Sequence, residues 1–194
     1  VSHLHLVEWV RKHDYSKPLT YMREYLALMQ KARFMAVGPN ELPEIVLAAL
    51  GPKMLELAAS ETAGAHPYFV PPEHTEFARE IMGPDALLYP EQMIVIEEDP
   101  DTARSIARQH MKTYTALPNY ANNLMRLGYE AGDIENLSDN VVDAVVVWGT
   151  MNSIRARVQA HFDAGADHVC VQVLTEEPNQ VPDGWRTLAP VLIG

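Results

Sequence analysis

The chain has 194 residues, a formal net charge of −11 and one cysteine, with 47% hydrophobic and 21% charged residues. This composition is that of an ordinary soluble globular chain, long enough to bury one core. Its acidic balance argues against nucleic acid as a partner, because phosphate recognition needs a basic footprint. No apolar run reaches membrane-spanning length and no signal-peptide pattern is present, so no membrane partner is expected. The lone Cys170 excludes an internal disulfide and points to a reducing, cytoplasmic setting.

The chain opens on Val1-Ser2-His3-Leu4-His5-Leu6, with neither Met nor a capped first element, and reads as the interior of a longer protein. Residues 19–31 place Leu19, Met22, Leu26 and Met29 at helical spacing, with Tyr21 and Tyr25 beside them and Pro18 at the start. Gly38-Pro39-Asn40 with Pro43 is a turn cluster. Residues 45–50 read as a short, fully buried strand. Residues 52–61 follow as a helix with Pro52 in its first turn and Met54, Leu55, Leu57 and Ala58 on its buried side. Residues 65–70 read as a second strand, and Pro71-Pro72 breaks the chain before a helix over 73–82 that ends at Gly83-Pro84.

A third strand is expected over 91–97, then a helix from Asp99 as N-cap and Pro100 at N1 to about residue 116. Residues 118–127 continue as a separate helix closed by Gly128. Ser138 caps another helix, with Val141, Val142, Val145, Val146 and Trp148 as its apolar members. An amphipathic helix over 152–164 stops at Gly165, a last strand covers 168–174, and a short helix covers 185–193. Strands alternate with helices four times without a hairpin signal, which specifies an α/β fold with a parallel sheet. An open doubly wound sheet and half of a (β/α)8 barrel both fit, and in either the helical stretch 99–164 is an insertion. Residues 1–194 form a single domain, with no simple repeat or low-complexity segment.

Gly51-Pro52 is the best site candidate. Glycine lets a ligand approach the backbone, the helix N-terminus carries partial positive charge, and Lys53 adds a full one. The plain alternative is a tight turn with Pro at N1. His3 and His5 alternate, and His13 is a third histidine, but no acidic or Cys partner stands at ligand spacing, so no metal is expected. A histidine at a strand end could exchange protons at neutral pH. His66 and Tyr68 also alternate and could meet a ligand together, or serve as core residues with polar tips. Residues Ala164-Gly165-Ala166-Asp167 stop a helix before a strand, so His161, Asp167 and His168 belong to the strand's N-terminal end, where a barrel keeps stabilising residues. Glu97, Glu98 and Asp99 suit capping, and Cys170 within HVCVQVL reads as a buried small hydrophobe. No GxSxG, Walker A, GxGxxG or CxxC motif is present.

IVLAALGPKMLELAASETAGAHPYFV, PEHTEFAREIMGPDALLYPEQ, LPNYANNLMRLGY, SDNVVDAVVVWG and HFDAGADHVCVQVL, in that order, resemble the luciferase-like monooxygenase superfamily. The branch they resemble most is the coenzyme F-420-dependent oxidoreductases. The resemblance implies a (β/α)8 TIM barrel with a helical insertion, of which this chain is roughly the second half, its N-terminal strands absent. It implies hydride transfer between a deazaflavin and a small organic substrate at the C-terminal mouth, with FMN as the alternative cofactor and a non-catalytic truncated remnant as the rival reading. Leu50, Gly51, Pro52, Lys53 and Met54, with Ser2, would bind the cofactor. Tyr68 and His66 would line the substrate side. His3 stands where several relatives carry Glu, and would act as the base. The resemblance further implies an enzyme that is active when complete and inactive as this segment alone, with a small-molecule substrate and a possible homodimer.

Overall fold

The computed structural model describes residues 6–10, 12, 14–33, 35, 37, 38, 41 and 43–193. Ser2, His3, His5 and His13 lie outside the described residues, as do Pro39 and Asn40 of the expected turn. After a π-helical turn at Leu6–Val10, the elements are α1 (Pro18–Lys31), β1 (Val46–Leu47), α2 (Pro52–Glu61), β2 (Gly64–Ala65), α3 (Pro72–Met82), β3 (Leu87–Leu88) and β4 (Glu91–Val95). The chain continues through α4 (Pro100–Thr115), α5 (Pro118–Arg126), α6 (Ala131–Asn136), α7 (Asp139–Val145), β5 (Val146–Trp148), α8 (Met151–Asp163), β6 (Cys170–Leu174) and α9 (Val181–Leu192).

All strand pairs are parallel, in two three-stranded sheets ordered β1-β2-β3 and β5-β4-β6. The two sheets share one line of chain. Tyr89 donates its N–H to Ala65 O at 2.9 Å and Glu91 donates to Pro67 O at 2.9 Å, so β3 runs into β4 beside the path of β2. On the opposite side Asp167 donates to Leu88 O at 3.0 Å and Cys170 to Pro90 O at 2.9 Å, which extends β6 down the same line.

The strand expected over 65–70 ends at Ala65. Pro67 has no amide hydrogen for a ladder, and Phe69 adopts a left-handed φ of 63° that turns the chain off the sheet. Its N–H is caught by the Glu91 carboxylate at 3.2 Å. The edge of β4 that β2 leaves open is taken up by β5, with Met93 opposite Val146 and Val95 opposite Trp148. The expected helix from Ser138 to Trp148 is therefore corrected. It ends at Val145, and Val146–Trp148 is a strand, because β-branched residues beside the open edge of β4 gain ladder bonds there. The inserted segment shortens to α4–α7, and α8 is the connection from β5 to β6. The strand expected over 45–50 likewise shrinks to Val46–Leu47.

The helices divide between the two faces of this line. Leu47, Ala65 and Leu88 pack with Leu55, Leu57 and Ala58 of α2 and Ala78 and Met82 of α3. Further along, Ile94, Val147 and Val173 pack with Ile154 of α8 and Leu188 of α9. The opposite face presents Met93, Val95, Val146 and Leu174 to α4, α5, α6 and α7, around Met111, Leu124 and Val142. The helices that link successive strands therefore share one face, and the inserted helices cover the other. Between sheet and outer helices, a buried polar network runs from Thr75 to His161 (2.7 Å), to Gln92 (3.0 Å), and on to the carbonyls of Met93 and Val145. Burial, with the nearby Arg157 and His74, pushes His161 down to about 4 and keeps it neutral. It is a structural histidine, as its place before the last strand implies. No helix among the described residues is long and apolar enough to cross a membrane.

Candidate functional site

Two features meet at the C-terminal end of the strands. The first is the turn after β1. Gly51 takes an extended conformation and caps α2, with Pro52 at its start. Its carbonyl receives the N–H groups of Met54 and Leu55, each at 3.0 Å. Leu50 is fixed from behind, because the buried His74 of α3 donates Nε2–H to its carbonyl at 3.0 Å. Burial and the Arg126 charge push His74 down to about 4, so the ring is neutral. Lys53 is exposed, Met54 half-buried and packed on the core behind α2. The structure thus joins the five expected residues Leu50, Gly51, Pro52, Lys53 and Met54 in one turn and adds Arg126, which sequence reasoning missed.

The second feature is a polar cluster on the face covered by the inserted helices. The Tyr68 hydroxyl donates to Gln172 Oε1 at 2.8 Å and lies 3.1 Å from the Tyr114 hydroxyl and 3.5 Å from His110 Nε2. Tyr114 and Tyr120 bracket its ring, with centroids at 5.2 and 6.1 Å. Burial, the Tyr114 hydrogen bond and the Glu91 charge push the Tyr68 hydroxyl far above the ordinary phenol range, so it holds its proton and acts as a donor. Burial lowers His110, which favours the neutral ring. A cavity of about 480 Å³ opens between α4 and the end of β6, with His110, Tyr114 and Gln172 among its walls. Only Tyr68 of the expected substrate pair joins this cluster. His66 is committed to the carbonyl of Tyr89. His110, Tyr114 and Gln172 went unread because nothing in their local pattern separates them from helix and strand surface. The i, i+4 spacing of His110 and Tyr114 is the available signal.

Below Tyr68 lies Glu91, 4% exposed, with Oε2 on the Phe69 N–H and Oε1 unpartnered. Burial pushes its carboxyl up to about 8. A carboxyl whose folded pKa exceeds its unfolded value of about 4.5 favours folding below that value and opposes it increasingly as pH rises to 8. Glu91→Gln removes this penalty but leaves an amide donor without an acceptor. We expect the variant to be about 2 kcal/mol more stable than the parent at pH 7, with the gain falling to zero near pH ~5.5 and turning into a loss of about 1 kcal/mol near pH 4.5, where only the unpaired amide remains. Urea titrations across that range measure it. The terms from His74 and His161 cancel between variant and parent.

Cys170, expected buried, is half-buried, and burial raises its thiol pKa, which makes it a poor nucleophile at neutral pH. Glu97 and Asp99 form a cap. Asp99 accepts from the Thr102 N–H at 2.9 Å and receives one bond from Thr102 Oγ1 at 2.6 Å, while its own N–H is held by Glu97. Among the described residues no group of three or more His, Cys, Asp or Glu could hold a metal ion.

A family model described as luciferase-like monooxygenase matches residues 5–168. No curated protein aligns significantly with the sequence. Among solved structures, an F-420-dependent secondary alcohol dehydrogenase in complex with an F-420–acetone adduct superposes at TM-score 0.57 and 12% identity, covering 82% of this chain and 52% of that one. EDTA monooxygenase from Chelativorans sp. BNC1 gives 0.56 and 12%, covering 81% and 46%. The coenzyme F-420-dependent tetrahydromethanopterin reductase from Methanopyrus kandleri gives 0.52 and 16%, covering 83% and 59%. At these identities the likeness is one of fold, and the chain spans about half the length of these structures.

Proposed function

The chain belongs to the luciferase-like monooxygenase family, and from that premise we propose that it forms the second half of a (β/α)8 barrel in an oxidoreductase that uses coenzyme F-420. The observation that supports this reading most directly is the turn at Leu50-Gly51-Pro52. It presents a helix N-terminus, Lys53 and Arg126 at the same end of the strands as the cavity beside Tyr68. That donor set fits the anionic tail of such a cofactor. The helices α2, α3 and α8, each the single helix between two strands, lie on one face of the strands, as in a barrel wall, with α4–α7 on the other.

When bound, the deazaflavin supplies hydride transfer. The chain's own residues bind and orient. Gly51, with no side chain, would leave the turn open to the tail, Lys53 would offer its N–H and its charge, and His74 holds the Leu50 carbonyl in place. Tyr68 keeps its proton, which goes to Gln172 Oε1, and so would line the substrate side by holding the Gln172 carboxamide at the cavity wall with its N–H groups free to meet a polar substrate atom. His66 would support this wall through the Tyr89 backbone. We assign the base to His3 and a cofactor contact to Ser2. FMN is the second reading, the alternative cofactor that the family resemblance leaves open.

Titrating the protein with F-420 and with FMN, followed by cofactor fluorescence, tests the assignment. Saturable F-420 binding that weakens about tenfold in Lys53→Gln is the expected result, the loss of one charge contact to a phosphate. Saturation by FMN alone would move the assignment to the flavin reading, and saturation by neither would overturn both.

A further inference from the structure

We propose that Gln172 and His110 form a recognition pair for an uncharged molecule bearing a hydroxyl or carboxamide group, and that the cavity between α4 and β6 rejects the matching carboxylate. That such a molecule is the substrate rests on the oxidoreductase reading above, whereas its binding rests on the geometry that follows.

Gln172 is a polar residue in an apolar neighbourhood. It stands opposite Met93 in the register of β4 and β6, on the face where Met93, Val95 and Leu174 meet the inserted helices. Its Oε1 can only accept, so the Tyr68 hydroxyl, which donates to it at 2.8 Å, fixes which way the carboxamide points. The N–H groups of that carboxamide have no partner among the described residues. His110 comes from α4, and its ring lies against Tyr114 with centroids 5.1 Å apart. Its Nε2 is 3.5 Å from the Tyr68 oxygen, beyond the ordinary span of a hydrogen bond. The Tyr68 proton is already on Gln172, so the imidazole keeps a lone pair for another donor. Burial favours the neutral ring. Donor and acceptor are thus neighbours around one hydroxyl oxygen, and both belong to the cavity wall.

The rest of the wall gives a negative ligand no counter-ion. Among the described residues that line the cavity none is Lys or Arg, and the exposed Glu176 is the one acid. Thr175 is committed to the Glu177 carbonyl. Ile106, Val173 and Val181 supply apolar surface for a carbon body. A carboxylate brings a charge and only acceptors. It would satisfy Gln172, leave His110 without a donor, and lose hydration without gaining a cation. An ammonium brings only donors and would set its charge against the Gln172 N–H groups. A hydroxyl, or the two ends of a carboxamide, meets both partners at once. The cavity volume of about 480 Å³ is that of a small-molecule site.

The test is an NMR titration of the full chain at neutral pH with probes of one shape: cyclohexanol, cyclohexanecarboxamide, cyclohexanecarboxylate and cyclohexylamine. Saturable shifts at the Gln172 side-chain amide are expected with the two uncharged probes, and the carboxylate should bind at least about tenfold more weakly. Gln172→Glu keeps an acceptor for Tyr68 and loses the donors, and should weaken the carboxamide about tenfold. His110→Phe, at a half-buried position, should weaken both uncharged probes about fivefold and serves if Gln172→Glu does not fold. Arg155→Gln, on α8, should match the parent. Carboxylate binding as tight as that of the carboxamide, cyclohexylamine binding tighter than either uncharged probe, or no saturable shift with those two, overturns the proposal. Such a failure alongside saturable F-420 binding would leave the cofactor reading standing. Probe binding that depends on Gln172 and His110, with neither F-420 nor FMN bound, would keep the recognition pair and remove only its role towards a substrate.

Discussion

Gly64→Ala is expected to destabilise the protein by at least about 4 kcal/mol, or to prevent folding at ordinary temperature. Gly64 begins β2 between two parallel neighbours, Val46 on one side and Leu87 on the other. A methyl group there would fall inside the carbonyl of Leu87 and 2.8 Å from its Cα. These are main-chain atoms, and no rotamer change moves them aside. β3 cannot retreat, because Leu87 donates to Ala63 O and Tyr89 to Ala65 O, each at 2.9 Å. The new atom must therefore separate β2 from β3. Denaturant unfolding of the variant, with Ala65→Gly as a companion that loosens the same strand without a clash, measures the difference. A loss below about 1 kcal/mol in Gly64→Ala would mean that the sheet absorbs the atom.

Arg79→Ala should cost about 3–4 kcal/mol. The guanidinium, on α3, donates to Gly165 O through Nε (2.9 Å) and Nη2 (2.7 Å), to Gly83 O (2.6 Å) and to Ala86 O (2.8 Å). It also pairs with Asp167 at 2.7 Å, whose same oxygen accepts the Leu88 N–H at 2.8 Å. One side chain thus satisfies the exit of α3, the approach to β3 and the turn before β6. Its removal strands three carbonyls and a carboxylate, a loss far above that of an exposed ion pair such as Arg186–Asp183. Arg79→Lys should recover only part of the loss, since one ammonium cannot reach all four acceptors. Equal stability of Arg79→Ala and Arg186→Ala in chemical denaturation would contradict this account.

Most helices were legible from local chemistry. Pro52 at N1 and a run of buried Leu55, Leu57 and Ala58 set α2 at the bounds the spacing implies, and Asp99 with Pro100 marks the start of α4. The strands were less so, because a parallel strand is decided by its neighbours. Val141, Val142, Val145 and Val146 continue a helical stripe without a break in pattern. Only the open edge of β4, far away in sequence, converts Val146–Trp148 to a strand. Leu87–Leu88, two residues between Pro84 and Pro90, offers no periodicity at all. The turn after β1 was readable because Gly-Pro has local meaning. Arg126 beside it and the Tyr68 neighbours His110 and Tyr114 come from the inserted helices, Gln172 comes from β6, and no spacing rule connects them to the turn or to Tyr68.

The line of chain shared by β3 and β4 also sets an order of events in folding. β1, β2 and β3 are joined by short helical connections, so they can pair once Leu88 has left the ribosome. Glu91–Val95 then waits for Val146–Trp148, beyond four helices, and Cys170–Leu174, beyond five, with loop-closure entropy opposing each pairing. Until those segments arrive, an apolar strand with two free edges is open to other chains. Burial of Met93 and Val95 under α4 is the earliest protection available to it, because α4 is the next element to be made. The inserted helices would thus act as an intramolecular shield during synthesis, before they take any part in binding.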